Sequence, residues 1–402
     1  MYPNLYYAFK DLFGVNLPGL RFINSFGFFV ALAFLGAAWI LTLELKRKSR
    51  EGHLQYEETT ITVGEPAGIA ELITNFILGF LLGYKIIGAL VIGPEDPQEF
   101  IFSSQGSVGS GILLGLLFAG LKWREKQKQR LPKPEKRVIR IWPHDRVGDF
   151  VVFAALFGFA GAKIFHNLEN WNEFVADPIG ALLSFSGLTF YGGLICAAIA
   201  IIWYARNHKI GIRHLCDSAA PALMLSYGIG RIGCQVAGDG DWGIVNNRPN
   251  PYSWLPDWVW SYTYPHNVIN AGVPIPGCEG NYCNELPLPV YPTPFYETIA
   301  CLILFVLLWS LRKKIPVPGQ LFGLYLAVNG IERFFIEKIR VNTKYNIFGF
   351  QPTQAEIIYS LLVITGLIVW FWYVWLNPLA TNNRFQISPQ GYVGSRWLVK
   401  NR

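Results

Sequence analysis

Long apolar runs are the feature of this 402-residue chain that most constrains its fold. Several of them approach or exceed the roughly 18 apolar residues that mark a membrane-spanning helix. Only 15% of the residues are charged, against about 25% in a typical soluble domain. We therefore predict an all-α, polytopic membrane helical bundle of about nine spans, at 22–44, 69–93, 108–123, 148–166, 188–205, 215–233, 295–311, 319–339 and 355–375.

Positively charged residues predict the orientation of this bundle. Lys and Arg are concentrated in the loops that follow the odd-numbered spans, above all in residues 122–146, and are sparse in the other loops. By the positive-inside rule, the N-terminus then lies outside and the C-terminus in the cytoplasm. The net charge of +7 is thus a signal of topology, and we expect no nucleic-acid partner. Because no basic region precedes the first apolar run, we expect an uncleaved anchor rather than a signal peptide.

Two segments lie outside the predicted spans. Residues 234–294 form the longest outside loop, rich in Pro, Trp, Tyr and Asn, and are long enough for a small exported head. Within it, Cys278 and Cys283 either form a disulfide, which an exported compartment permits, or remain free thiols. Residues 124–147 form a basic cytoplasmic loop, which we interpret as a retention signal facing anionic lipids.

An arginine set among glycines is the most informative candidate for a functional site. Arg231 lies near the outer end of the sixth span, between Gly230 and Gly233. A charge at bilayer depth costs roughly 2.5–3.5 kcal/mol on insertion scales, so it normally has a polar partner. An anionic lipid headgroup fits this location. The alternative is an arginine that extends to the interface with its stem in lipid.

Two aspartates follow this arginine closely. Asp239 and Asp241 lie in a glycine-rich stretch that favours a turn at the start of the outside loop. They could steady Arg231, bind the glycerol of a headgroup, or act as a base.

A second arginine, Arg333, lies near the outer end of a later apolar helix. Glu337 at i+4 and Arg340 at i+7 share its helix face. Either Arg333 and Glu337 form an ion pair that neutralises itself, or Glu337 orients Arg333 while its free N–H edge binds phosphate. Two fixed guanidiniums at the lipid interface favour a site that grips phosphate.

Further polar residues gather on the same outside half. Tyr191, ahead of Gly192 and Gly193, places a phenol at headgroup level, although a tyrosine of the membrane aromatic belt is the common alternative. Prolines lead into the span that carries Tyr296 and a buried glutamate, Glu297. The sequence has no glycine-rich phosphate loop and no clustered His/Cys set, so we expect neither a metal nor a nucleotide cofactor.

These motifs resemble those of the bacterial prolipoprotein diacylglyceryl transferases. The arginine between glycines with its glycine-acidic turn is similar to that family's signature, and the charges from Arg333 to Arg340 have the spacing of its late charged helix. Residues 291–297 resemble its His-Pro-Ser-Gln-Leu-Tyr-Glu segment, and Gln354 fits its glutamine near the last span. Its Asp-x-x-x-Pro pattern is matched at Asp217 and Pro221.

The resemblance implies an enzyme. That family moves the diacylglyceryl group of phosphatidylglycerol onto the lipobox cysteine thiol of a preprolipoprotein signal peptide, giving a thioether and glycerol-1-phosphate. By this resemblance Arg231 and Arg333 would hold the phosphate and stabilise charge on the leaving group. The implied partners are phosphatidylglycerol, these signal peptides and the lipid bilayer. Further substrate-binding residues would be Gly192, Gly193, Glu337, Arg340, Tyr296 and Gln354.

Departures from the family pattern leave the base open. The family's His-Gly-Gly is Tyr191-Gly192-Gly193 here, and a phenol has a reference pKa of about 10. The glycine turn carries one extra residue, so either Asp239 or Asp241 replaces the family's glutamate. The base is then Tyr191 or one aspartate, or the thiol, with a pKa of about 8.5, ionises by itself. We favour Tyr191 as a residue that positions the headgroup or the thiol.

The resemblance covers roughly residues 21–45 and 148–375 and implies a seven-span core with an inserted hairpin. The predicted organisation is an N-terminal outside arm (1–21), the first span (22–50), the inserted hairpin with the basic loop (51–147), core spans with the signature (148–233), the periplasmic head (234–294), C-terminal core spans (295–376) and a cytoplasmic tail (377–402).

A protein of another class also fits the sequence: a non-catalytic phospholipid-binding or transport protein whose arginines only hold headgroups. Polar groups along a complete path through the bilayer would favour transport. Here they gather on one side, which favours an interfacial enzyme of the bacterial inner membrane.

Overall fold

The computed structural model describes residues 1–92, 100, 103–183, 189–342, 345–346 and 351–376, so the predicted tail at 377–402 lies outside the described residues. The helices are α1 (Leu5–Phe13), α2 (Ser25–Arg50), α3 (Ile69–Leu82), α4 (Gly88–Ile92), α5 (Val108–Gln129), α6 (Val147–Glu169), α7 (Trp171–Ala176), α8 (Pro178–Leu183), α9 (Phe190–Asn207), α10 (Ile212–Ala237), α11 (Asp257–Trp260), α12 (Thr293–Leu311), α13 (Gln320–Glu337) and α14 (Gln354–Leu376). The strands are β1 (Glu57–Val63), β2 (Glu135–Ile141), β3 (Val273–Pro274) and β4 (Asn284–Glu285). Short helical turns lie at Pro18–Phe22, Gly83–Ile87 and Pro143–Arg146.

Among the described residues, six helical segments are long and apolar enough to cross a membrane, which confirms the polytopic all-α class. They are α2, α3 continued through α4, α6 with the turn before it, α9, α12 and α14. The other predicted spans correspond to α5, α10 and α13, which are helices of 22, 26 and 18 residues with more polar or charged positions. The count of nine spans stays a prediction.

Helix α10 lies at the centre of the bundle. It packs against α2 and α12, while α13 pairs with α14 and α6 pairs with α9. We call the end of the bundle that carries residues 238–292 the head end. The opposite end, where α2 finishes at Arg50 and α12 at Leu311, is the basic end.

One buried carboxylate at the basic end joins α10 to α13. Asp217 accepts hydrogen bonds from the backbone N–H groups of Gly319 (2.8 Å) and Phe322 (3.0 Å), so it caps the start of α13. Lys48 of α2 lies 3.5 Å from the same carboxylate and also donates to the His214 carbonyl at 3.0 Å. The Asp-x-x-x-Pro match therefore marks a residue that holds helices together.

A second buried carboxylate at the basic end joins α2 to α12. Glu44 is 1% exposed, and its oxygens accept from Arg312 Nε at 2.5 Å and from Arg47 Nη2 at 2.7 Å. Both buried carboxylates of this end thus have hydrogen-bonded cationic or backbone donors, as buried charges require.

The inserted hairpin consists of α3 and α4 packed on α5. Its two ends form an antiparallel ribbon in which Glu57 pairs with Ile141 and Val63 with Glu135. Thr, Ile and Val residues favour this extended conformation. Part of the segment predicted as a basic loop is therefore a strand, and the chain enters and leaves the hairpin side by side.

The predicted head is a small, mostly irregular unit at the head end. Of the two alternatives for its cysteines, the structure contains the Cys278–Cys283 disulfide. Asn267 is fully buried, and its amide group organises the surrounding loop by donating to three backbone carbonyls, those of Tyr264, Ala271 and Asn284.

Candidate active site

The chain turns sharply where α10 ends. Gly238 caps the helix at φ +65° and Gly240 follows at φ +98°, both in the left-handed region that favours glycine. Gly243 then packs so tightly that a Cβ atom would lie 2.5 Å from the Ile339 carbonyl oxygen. This glycine-dependent turn folds Asp241 back toward the bundle.

Glu297 is the centre of the site. It lies in the first turns of α12, a helix that starts favourably with Pro294, and its side chain is 0% exposed. Its carboxylate contacts Arg231 Nε of α10 at 2.5 Å, Arg333 Nη1 of α13, and Arg340 Nη1 at 3.6 Å. These are ion-pair contacts without the geometry of directional hydrogen bonds. One arginine of α10, one of α13 and one just beyond the end of α13 therefore converge on one buried carboxylate.

Asp241 is the second carboxylate of the site. One of its oxygens accepts from Arg231 Nη1, and the other lies 2.5 Å from Arg340 Nη2. Its backbone carbonyl accepts a hydrogen bond from Thr293 Oγ1 at 2.6 Å, which fixes the turn against the start of α12. Of the roles considered for the aspartates, Asp241 has the contacts expected for steadying Arg231.

The two aspartates differ in how readily they bind a proton. Burial would raise the pKa of the Asp241 carboxyl, but the Arg231 and Arg340 guanidiniums outweigh burial and hold that pKa below its ordinary value. At Asp239, burial raises the pKa, and the Cys234 thiol only partly opposes this. Asp239 is therefore the better proton acceptor of the two.

The arginines retain hydrogen-bonding capacity. Within the part of the chain that the structure describes, Nε and Nη1 of both Arg333 and Arg340 are buried without a directional hydrogen bond. Leaving buried N–H groups unpaired is costly, and the planar guanidinium fork matches the geometry of phosphate. The site is therefore suited to an anion that offers several acceptor oxygens.

Tyr191 reaches the same cluster from α9. It lies close enough to interact directly with Tyr359 of α14 and with the charges of Arg333 and Glu337. The structure thus brings together all five predicted catalytic residues: Arg231, Arg333, Tyr191, Asp239 and Asp241.

Gly192 and Gly193 have a clear role in helix packing. A Cβ atom on Gly192 would lie 2.4 Å from the Phe165 Cβ of α6, and one on Gly193 would lie 2.8 Å from the Gly158 carbonyl oxygen. Their absent side chains let α9 approach α6 closely. Contact of these glycines with a substrate stays a prediction.

The predicted pairing of Arg333 with Glu337 is wrong. Arg333 turns toward Glu297, because a fully buried carboxylate without a cation would be strongly destabilising. Glu337 instead accepts hydrogen bonds from Thr353 Oγ1 at 2.9 Å and from Asn342 Nδ2.

Two other predicted substrate-binding residues lie at the edge of the site. The Tyr296 hydroxyl donates to the Val259 carbonyl at 2.7 Å and so holds α11 against the start of α12. Gln354 is the first residue of α14, and its side chain is exposed. Substrate contact by either residue stays a prediction.

The sequence predicts that Glu297 is buried, but its central position is visible only in the structure. Two aromatic rings next to the arginines are also not predicted: Tyr227 lies 5.2 Å from the Arg231 guanidinium, and Tyr359 lies 5.7 Å from that of Arg333. Tyr227 could have been found, since it precedes Arg231 by four residues on the same helix face.

One group of potential metal ligands lies in this region. Cys234, Asp239 and Asp241 each offer an atom within 4.8 Å of the others. Both Asp241 oxygens, however, already contact Arg231 and Arg340, and these charges disfavour a cation. The donor set is thus better suited to holding arginines than to holding a metal.

Fold and site together define a class: a polytopic helical membrane protein with a buried cluster of arginines and carboxylates at one end of its bundle. The family model described as prolipoprotein diacylglyceryl transferase matches residues 107–373. This chain belongs to that family. The match begins within the predicted insertion at 51–147, so the limits of that insertion stay a prediction.

Named relatives agree with this assignment. The chain is 30% identical over 270 residues to a phosphatidylglycerol–prolipoprotein diacylglyceryl transferase of Vibrio vulnificus, covering 66% of this chain and 85% of the relative. It is 28% identical over 274 residues to the enzyme of that name from Dehalococcoides mccartyi, covering 67% and 90%. A Pseudomonas aeruginosa relative of the same name is 27% identical over 246 residues, covering 59% and 80%.

Proposed function

We propose that this protein transfers the diacylglyceryl group of phosphatidylglycerol to the lipobox cysteine thiol of preprolipoproteins, with release of glycerol-1-phosphate. The observation that carries the proposal is the convergence of Arg231, Arg333 and Arg340 on the buried Glu297 at one end of a membrane bundle. Family membership and the names of the relatives supply the substrates.

The first step is binding of the lipid headgroup. The Nε–H groups of Arg333 and Arg340 have no partner among the described residues and can donate to the phosphodiester oxygens, while Glu297 and Asp241 hold the guanidiniums in place. Anchoring each arginine on a carboxylate restricts its rotamers before the substrate arrives, which reduces the entropic cost of binding.

The second step is displacement at a saturated carbon. The thiol sulfur attacks the glyceryl carbon, the C–O bond to phosphate breaks, and the electron pair leaves with the phosphate. The leaving group gains negative charge, so guanidiniums fixed beside it stabilise the transition state more than the ground state. The thiol must lose its proton, because the thiolate is the nucleophile. We assign Tyr191 to positioning of the headgroup or thiol.

The site lies at the head end, and we propose that this end faces the outside of the bacterial inner membrane. The N-terminus would then be outside and the C-terminus in the cytoplasm, in agreement with the distribution of Lys and Arg.

The test is incubation of the purified full-length protein with phosphatidylglycerol vesicles and a synthetic lipobox peptide. We expect the peptide to gain the mass of one diacylglyceryl group, with release of glycerol-1-phosphate. Phosphatidylethanolamine vesicles and a Cys→Ser peptide are the controls and should give no product. Binding of phosphatidylglycerol without any mass gain would favour the rival lipid-binding or transport protein.

A further inference from the structure

The head carries exposed aromatic rings that the site described above does not use. Trp254 is 78% exposed, Tyr252 is 50% exposed and Trp258 is 43% exposed. All three lie in residues 252–260, a turn followed by the short helix α11, which we call the aromatic segment. Single exposed apolar residues are ordinary, but several large exposed rings close together indicate a surface that contacts something other than water.

The aromatic segment is held in one conformation. Asn250 Nδ2 donates to the Leu255 carbonyl at 2.7 Å, and Asn250 Oδ1 accepts from the Tyr252 backbone N–H at 3.0 Å. The centroid of the Tyr252 ring lies 6.0 Å from that of Trp254 and 6.3 Å from that of Trp260. The exposed rings are therefore fixed before they meet a partner, which lowers the entropic cost of binding.

Two contacts place the aromatic segment at the start of α12. The Tyr296 hydroxyl donates to the Val259 carbonyl at 2.7 Å, and the Trp258 ring lies edge-to-face on the Phe295 ring with 5.0 Å between centroids. Helix α12 begins at Thr293 and is one of the helices that are long and apolar enough to cross a membrane. The aromatic segment therefore lies where this span meets the head.

The aromatic segment also continues the lipid-facing side of α12. Phe295, Ile299 and Ile303 recur every four residues, so they share one face of the helix. Ile299 is 45% exposed and Ile303 is 64% exposed. An apolar face left uncovered on a spanning helix is in contact with lipid. Because Trp258 packs on Phe295, it extends this face beyond the end of the span.

The only Lys or Arg of the predicted head lies beside the same segment. Arg248 is the single basic residue in 234–294, and its side chain is exposed. Its backbone carbonyl accepts a hydrogen bond from Trp260 Nε1 at 2.9 Å. The carboxylate of the segment, Asp257, accepts from Asn250 Nδ2 at 3.2 Å. Trp and Tyr favour the headgroup level of a bilayer, and a guanidinium matches phosphate. The composition thus complements a phospholipid surface.

We propose that the aromatic segment is a membrane-interface anchor, whose exposed rings lie among the lipid headgroups while Arg248 contacts lipid phosphates. This surface is separate from the arginines around Glu297, and the inference does not depend on the proposed function. The partner is the bilayer in which the protein itself is embedded, at the edge where α12 enters the head.

The anchor has a consequence for the position of the site. Tyr296, which holds the aromatic segment through Val259, directly precedes Glu297 in α12. An anchor at headgroup depth therefore fixes the depth of the first turns of α12. The arginines that converge on Glu297 are thereby kept at the level of the lipid phosphates.

The experiment measures the depth of a fluorescent label on full-length Ser253→Cys in vesicles of phosphatidylethanolamine and phosphatidylglycerol. Ser253 is exposed between Tyr252 and Trp254, so a label there reports on the aromatic segment. We expect lipids that carry a nitroxide on the headgroup to remove most of the emission. Lipids with a nitroxide deep in the acyl chain, and aqueous iodide on both sides of the membrane, should remove little.

Ile303→Cys is the matched control for depth. Ile303 lies on the same face of α12 as Phe295, about 12 Å further along the helix. Its label should be quenched by the deep nitroxide and little by the headgroup nitroxide. Wild type treated with the dye measures background labelling of the free cysteines, which are Cys196, Cys216, Cys234 and Cys301.

Other results would overturn the proposal. Quenching of the Ser253→Cys label by iodide alone would place the aromatic segment in water. Quenching by none of the three reagents would show that protein covers it. Iodide quenching that a lipobox peptide suppresses would identify a peptide-docking surface in place of a membrane anchor.

Trp254→Phe gives a second measurement that needs no label and applies even if Ser253→Cys does not fold. Because Trp254 is 78% exposed, this variant should fold normally. The difference in tryptophan emission between wild type and Trp254→Phe reports the ring at this position. Lipids brominated near the headgroup should quench that difference, since the ring lies at the interface. A difference that brominated lipids leave unchanged would equally overturn the proposal.

Discussion

The two ends of the bundle both bury charged side chains, but they satisfy them differently. At the basic end, Asp217 and Glu44 each accept directional hydrogen bonds from backbone N–H groups or cations of neighbouring helices. At the head end, the carboxylate of Glu297 and the free N–H groups of Arg333 and Arg340 lack such bonds.

This difference distinguishes buried charged side chains that stabilise the fold from those that are available to a ligand. A satisfied buried network holds elements in one arrangement, whereas unsatisfied buried polar groups persist only where something else completes them. At the basic end, both of these buried carboxylates have their donors. At the head end, we propose that a bound anion completes the unpaired N–H groups, and that the cost of leaving them unpaired before binding is the counterpart of function.

The largest effect is expected from the head end. Arg333→Ala removes donors to the phosphate and should lower kcat/KM by about a thousandfold or more, equivalent to about 4 kcal/mol. Arg333→Lys should recover little, since an ammonium lacks the planar fork. The measurement is formation of the diacylglyceryl peptide by mass spectrometry, with the thermal midpoint of the detergent-solubilised protein as the control for folding. Normal turnover by Arg333→Ala would remove the phosphate-binding assignment.

The next effect should be one of stability at the basic end. Asp217→Ala leaves Lys48 buried without its carboxylate and uncaps α13, so we expect a loss of about 3 kcal/mol of unfolding free energy. The remaining folded protein should keep its specific activity. Thermal unfolding and rates per folded molecule measure the two quantities separately. A large loss of activity without loss of stability would contradict the division between the two ends.

Tyr191→Phe tests a residue at the border of the head-end cluster. The change keeps the ring and removes one hydroxyl, so loss of a hydrogen bond to a charged group should reduce kcat by about tenfold, or about 1.5 kcal/mol. A reduction of about a hundredfold or more would assign the hydroxyl a direct proton-transfer role. An unchanged rate would exclude Tyr191 from the chemistry.

Lowering the pH should reduce the stability of the folded protein by protonating Asp241 at the head end. Its folded pKa is held below its ordinary value, so its contribution to stability is complete above the unfolded pKa of about 3.9. That contribution is lost as the pH falls through the lower, folded value. We expect unfolding curves of wild type and Asp241→Asn to converge below about pH 4 and to separate above it. Curves that stay equally separated at all pH values would contradict this.

The smallest effect should come from the head disulfide. Cys278 and Cys283 are only five positions apart, and closing such a short loop restricts the unfolded chain less than closing a long one. A Cys278→Ser/Cys283→Ser variant should keep its activity within about twofold, because the loop lies outside the arginine cluster. A larger loss would indicate that this loop of the head contributes to substrate binding.

Much of the fold could be predicted from the sequence, because apolar length and the positions of charge are local signals. Nearly every predicted span corresponds to a helix near the expected boundaries, and the sequence alone indicates Arg231, Arg333 and Tyr191 as candidate site residues. The choice of partners could not be predicted. Arg333 has Glu337 at i+4, yet it pairs with Glu297, which is distant in sequence but fully buried.

The partner of Arg340 and the pairing of β1 with β2 could not be predicted from the sequence for the same reason. Helical spacing placed Arg340 on the face of Arg333, but only the close approach of Gly243 to Ile339 brings it against Asp241. Likewise the pairing of β1 with β2 depends on two segments separated by the whole hairpin. Long-range contacts of this kind leave no periodic signal in either segment alone.

The β1–β2 ribbon has a consequence for how the protein could be dissected. Strand neighbours lie about 5 Å apart, so the chain leaves the core near Glu57 and returns near Ile141 at almost the same place. Apart from the packing of α4 on the turn at Pro18–Phe22, the described helices of the intervening segment pack mainly on one another. Joining the chain on either side of the ribbon through a short turn would remove the segment between Glu57 and Ile141 without stretching the remaining chain. The predicted division into a seven-span core and an inserted hairpin can thus be tested by preparing the chain with and without the segment between the two strands.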